Sequence, residues 1–271
     1  MGFFYLPKIK AFCLKLIFIS KLKQVFDLYL GYRYIKKNKG VYMFYFDKTY
    51  VLVILGLVIT MLAQANIQKK FDKYKKIKTK KSITGLECAR YILSTNNYTD
   101  ISIKKTGGAL SDYFNPVNKE IALSETSMTD TSIASLAVAA HECGHVIQYK
   151  EGYMPLRIKS YIVPAVNLGS RLSIPLILIG VLLSIGNLIT IGIFLFSFVL
   201  IFQLITLPVE FDASKKALNV LEKSGMLVGE ENNYAKDMLK SAALTYVAAT
   251  LSTALQFIRL WLLFGNRNSR D

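Results

Sequence analysis

The chain is poor in histidine, cysteine and acid. It has two histidines, three cysteines and 18 Asp+Glu among 271 residues. Cys13, Cys88 and Cys143 are odd in number and lack paired spacing, which argues against a disulfide framework. Two histidines cannot supply a three-imidazole zinc site. There is no internal repeat, and the only low-complexity tract is a run of lysines. What is present is apolar and basic: 52% hydrophobic residues, mean hydropathy +0.34, and 34 Lys+Arg. That excludes a disordered chain. A soluble nucleic-acid binder would be basic without this much apolar surface, so no nucleic-acid partner is expected. Apolar and basic together point to a membrane protein with cationic cytoplasmic faces.

Uncharged runs locate the membrane. Val51 to Ile67 is 17 residues long, flanked by Tyr45 and Tyr50 on one side and Lys69-Lys70 on the other. Leu172 to Val209 has 38, enough for two spans, with Gly186-Asn187 as the expected reversal. Ala242 to Phe264 has 23, with Arg259 near one end. The expected division is a first span at 48–68, a hairpin at 165–207, a helix-bearing segment at 208–241 and a last span at 242–264. Between Lys69 and Lys81 stand eight lysines and one acid, Asp72. Such a cluster marks the cytoplasmic side of a plasma-membrane protein and would attract anionic lipid. Residues 69–164 and 208–241 are then cytoplasmic. Residues 1–42 carry nine basic side chains against Asp27, a net +8, and this topology would place them outside, against the positive-inside rule. A start at Met43 removes the conflict, so 1–42 is read as a basic extension that is not native to the working protein.

The cytoplasmic part reads as a small α+β unit. Thr84-Gly85-Leu86-Glu87 is a capping box opening a helix to about Ser94. Ile101 to Ile103 and Glu120 to Leu123 read as strands, with turns at Gly107-Gly108 and Asn115-Pro116. A helix follows over 132–149, and the strand before it offers an edge to an extended peptide.

That helix contains His141-Glu142-Cys143-Gly144-His145. Positions i and i+4 share a helix face, so the two imidazoles can hold one Zn2+, and Glu142 can take a proton from a zinc-bound water. Both histidines of the chain lie in this motif. A catalytic zinc needs three protein ligands, so the third is Glu, Asp or Cys. Glu210 stands out, directly after the hairpin and behind Pro208, which suits the first turn of a helix. An acid stabilised by a helix dipole is the plainer reading of Glu210. Asp212 is the reserve ligand, although about 200° round the helix from Glu210, and Ser214 at i+4 is placed to hydrogen-bond the ligand. Cys143 points away from the zinc face and reads as a core thiol. Tyr149, Tyr153 and Tyr246 are candidate oxyanion donors.

On these residues the chain resembles the neutral zinc metallopeptidases of the YugP-like bacterial membrane family. The resemblance spans about 43 to 264. It rests on Ser82-Ile83-Thr84-Gly85, Val138-Ala139-Ala140-His141-Glu142, Gly144-His145, Gly152-Tyr153 with Pro155-Leu156-Arg157, Leu207-Pro208-Val209-Glu210-Phe211 and Tyr246-Val247-Ala248-Ala249. It implies a multi-pass membrane endopeptidase with one zinc per chain, a small zincin-like (gluzincin-type) cytoplasmic unit and about four transmembrane helices. It carries metal binding onto His141 and His145 and catalysis onto Glu142, and Glu210 matches the block expected to hold the third ligand. The segment is also similar to the E-x-x-A-D helix of the CAAX-prenyl and heat-shock membrane metallopeptidases, with Ser214 where Asp usually stands. The expected substrate is a membrane-associated or unfolded polypeptide. The alternative is an inactive scaffold, or an anionic-lipid-binding protein using Lys69 to Lys81.

Overall fold

The computed structural model describes residues 47–108 and 111–265. The basic extension and Met43 lie outside these residues. The elements are α1 (Tyr50–Tyr74), α2 (Gly85–Thr95), β1 (Ser102–Thr106), β2 (Tyr113–Asn115), β3 (Glu120–Ser124), α3 (Glu125–Thr129), α4 (Ile133–Lys150), α5 (Met154–Leu182), α6 (Gly186–Lys223) and α7 (Glu230–Phe264). The molecule is therefore mostly helical with one small sheet. Among the described residues four helices, α1, α5, α6 and α7, are long and apolar enough to cross a membrane. α5 packs along α6, and α1 and α6 pack along α7.

Local chemistry explains the starts and stops. The expected capping box forms: the Glu87 amide donates to Thr84 Oγ1 at 3.2 Å, and the Thr84 amide donates to Glu87 Oε2 at 2.8 Å. Ser132 caps α4 by accepting from the Ser135 amide at 3.3 Å. Gly152, at φ 67°, supplies the left-handed residue just beyond the end of α4, and Pro155 opens α5.

In the sheet, order β1-β3-β2, Ile103 pairs with Ile121 in parallel and Phe114 pairs with Ile121 antiparallel. β3 is thus the central strand, hydrogen-bonded on both sides. The expected peptide-binding edge before α4 does not exist there; the edges are β1 and β2.

α4 is buried almost all round, from Ile133 to Gln148. One apolar core joins it to α2, the sheet, Phe71 and Tyr74 of α1, Leu221 of α6 and Met238 of α7. The chain after α1 also holds the start of α4: the Thr79 amide donates to the Thr131 carbonyl at 2.9 Å, and the Ile133 amide to the Ile77 carbonyl at 3.0 Å.

Two expected boundaries are corrected. The hairpin turns at 183–185, with Ser184 at φ 58°, and Gly186 is already helical. Pro208 lies deep inside α6 and opens no helix, so Glu210 sits on the same continuous helix as the second limb, and 208–241 is divided by a turn before α7. Pro208 is exposed, and α6 continues through it without a break.

Candidate metal centre

α4 and α6 cross in backbone contact. A Cβ on Gly144 would lie 2.3 Å from the Ala213 carbonyl oxygen, so only glycine lets the helices approach this closely. That approach brings Glu210 onto the histidines. Glu210 Oε2 is 3.3 Å from His141 Nε2 and 3.6 Å from His145 Nε2. Donor atoms of the three residues all lie within 4.8 Å of one another. Glu210 is 1% exposed and His145 6%.

The outer ring nitrogens determine which atoms face the centre. Gln148 Nε2 donates to the Val209 carbonyl at 2.8 Å and to Asp212 Oδ2 at 2.9 Å, which uses both of its N–H groups. Its Oε1, 3.0 Å from His145 Nδ1, therefore accepts from that ring. His145 accordingly donates from Nδ1 and turns Nε2 toward Glu210. His141 Nδ1 lies 3.2 Å from Ser214 Oγ. Two imidazoles and a carboxylate, each held by an outer partner, form a donor set suited to Zn2+.

Glu142 is 2% exposed and lines the same cavity as His141 and Glu210, about 220 Å3 in volume. Asp112, beside β2, lines it too and accepts from the Ser124 amide at 2.7 Å. Burial pushes the Asp112 carboxyl above the usual carboxylate range; the Ser124 hydrogen bond opposes this, and neighbouring Glu142 adds to it. Cys143 is completely buried, and burial pushes its thiol well up, so it is a core residue outside the donor cluster.

Expected site residues fall into two groups. His141, His145 and Glu210 converge. Asp212 is not in the cluster; it reaches the site through Gln148. Ser214 bonds His141, whereas a bond to Glu210 was the expectation. Of the three tyrosines, Tyr246 lines the cavity, whereas Tyr149 packs on Phe114 and Tyr153 stands just before α5 without a capping hydrogen bond from its side chain. Gln148, Asp112 and Lys159 were missed by sequence reasoning. Lys159, on α5, places Nζ 3.2 Å from Glu210 Oε1. Gln148 carried a readable signal, one turn after His145 on the ligand helix; nothing in the sequence marked Asp112 or Lys159.

The three side chains form a group that could hold one metal ion. Residues 49–265 match the family described as "Putative neutral zinc metallopeptidase", and the chain belongs to that family. It is 39% identical over 215 residues to the "Putative membrane protease YugP" of Bacillus subtilis (strain 168), covering 79% of this chain and 96% of that protein. No solved structure matches the chain.

Proposed function

We propose that the protein is a multi-pass zinc metalloendopeptidase of the cytoplasmic membrane, with one zinc per chain and its site facing the cytoplasm. The observation that carries this reading is the convergence of His141, His145 and Glu210 beside buried Glu142 on one cavity. His141, His145 and Glu210 hold the metal. When bound, zinc supplies a Lewis acid that polarises a peptide carbonyl and acidifies water. Glu142 is the general base, taking the proton of the attacking water and passing it to the leaving amine. Gln148 and Ser214 hold the imidazoles in register, Asp212 holds Gln148, and Tyr246, which lines the cavity, is the proposed donor to the developing oxyanion.

The unit of residues 69–164 is read as zincin-like, a small sheet beside the ligand helix. The Lys69 to Lys81 tract lies at the cytoplasmic surface, where it meets anionic lipid. Lys70 and Lys78 are already engaged by Asp237 and Asp130, so the lipid role falls to the remaining exposed lysines. The substrate is a membrane-associated or unfolded polypeptide.

Elemental analysis of detergent-purified protein tests the site. One zinc per chain is expected in wild type, with loss or marked weakening in Glu210→Ala. Glu142→Gln should retain zinc and lose activity by a factor of about 10^2 to 10^4. A Glu142→Gln protein cleaving as fast as wild type would remove the peptidase reading, and a well-folded wild type that refuses zinc would favour the scaffold.

A further inference from the structure

The cavity that receives Glu142 continues well past the metal ligands. On α1 its wall runs from Phe71 to Thr60, and on α7 from Met238 to Ala249. Eleven residues separate the ends of each stretch, about 16 Å at 1.5 Å per residue. Phe71 stands among the lysines of the surface tract, whereas Thr60 lies nine residues before Lys69, about 13 Å deeper. That depth approaches the middle of a hydrocarbon core about 30 Å thick. On α6 the wall continues through Thr206 and Phe202, one and two turns deeper than Glu210.

The deep part is also chemically different from the mouth. Asp112, Glu142 and the ligands crowd one end. Below them the threonine hydroxyls are spent on their own helices: Thr60 donates to the Gly56 carbonyl at 2.7 Å, Thr206 to Phe202 at 2.8 Å and Thr245 to Ala242 at 2.6 Å. These hydroxyls offer an occupant no donor; Gln64 and Tyr246 are the other polar side chains of this stretch, and Ile67, Phe202, Ala242, Ala243 and Ala249 make the rest apolar. A hydrophobic occupant is favoured by the area it removes from water or headgroups, at a polar cost confined to Gln64 and Tyr246.

We infer that this deep cavity is the subsite for apolar side chains of a membrane-anchored polypeptide, held beside the peptide bond that lies at His141 and Glu142. The inference rests on the peptidase reading and names its substrate class. The cavity of about 220 Å3 takes one or two leucine-sized side chains. Its depth of about 16 Å corresponds to about five extended residues at roughly 3.3 Å each, so these side chains lie within about five residues of the bond at the metal. The cleavage point is therefore the junction between a span and its cytoplasmic flank. A peptide is favoured over a lipid acyl chain because the cavity is continuous with Glu142 and the ligands, where an occupant's neighbouring atoms must lie.

The test uses the full-length, zinc-loaded Glu142→Gln protein in vesicles of phosphatidylglycerol and phosphatidylcholine. The probe is a synthetic peptide with a polar flank and a leucine-rich span, carrying photo-leucine at successive positions across the junction. Crosslinks to Ile67, Met238 and Ala242 are expected from positions within about five residues of the junction. Ala249→Phe, or Ala242→Leu if the first variant fails to fold, should lower the yield at least fivefold with zinc content unchanged. Crosslinks confined to the outer faces of α1 and α6, yields unaffected by filling the cavity, or a co-purified lipid that the peptide cannot displace would each overturn the inference. Wild type that cuts soluble peptides but never crosslinks in the cavity overturns this inference alone. Wild type that crosslinks there yet never cuts overturns the peptidase reading and leaves the subsite standing.

Discussion

Each ligand is held by a group that a motif search does not see. Gln148 is the clearest case, because its amide is locked by two acceptors and in turn locks His145. Replacing it with leucine removes the Nδ1 partner and frees the ring, and zinc affinity should fall by about 10- to 100-fold in a competitive chelator titration. Lys159 acts on the other side of the centre. Glu210 presents Oε2 to the histidines and Oε1 to Lys159, so the ammonium would share this buried carboxylate with a bound metal. Removing one partner of a buried pair costs about 3–5 kcal/mol, and the 15% side-chain exposure of Lys159 reduces this to about 2 kcal/mol. Lys159→Met should therefore destabilise the metal-free protein most. The gap in Tm between zinc-loaded and metal-free forms should widen relative to wild type, and an unchanged gap would show that Lys159 contributes little to holding Glu210.

At the scale of elements, the decisive contact is α4 against α6. Gly144→Ala must push the helices apart at Ala213, three residues from Glu210. It should cost about 1–3 kcal/mol in stability and reduce zinc occupancy together. Gly186→Ala, which meets nothing within 4 Å, is the control and should leave zinc occupancy unchanged. Much of the element pattern was legible in the sequence. Thr84 and Glu87 announced α2, the alternation around Ile103 announced β1, and the histidine spacing identified two of the three clustered donors. β2 was missed because three residues carry too little periodicity to register. Pro208 misled because the first-turn rule rests only on the missing N–H, whereas α6 runs on through Pro208, which is exposed there and leaves the helix unbroken. Lys159 and Asp112 were invisible because their relation to the site is purely tertiary: one comes from α5 and the other from beside β2.

For the whole molecule, the proposed topology sets the hairpin turn at 183–185 opposite the lysine tract. In sealed right-side-out vesicles, with the native cysteines removed, a Ser184→Cys protein should react with a membrane-impermeant maleimide, and a Lys73→Cys protein should react only after the membrane is opened. Equal labelling of both before opening would overturn the arrangement. The order of the ligands along the chain has one more consequence. His141 and Glu210 are 69 residues apart, and both limbs of the hairpin lie between α4 and Glu210. During synthesis the two-histidine helix leaves the ribosome while its third partner is still unmade. The donor set closes only after the hairpin has been laid down beside it, so a half-built chain carries no complete centre, and the proposed hydrolytic capacity would arise only once the hairpin is in place.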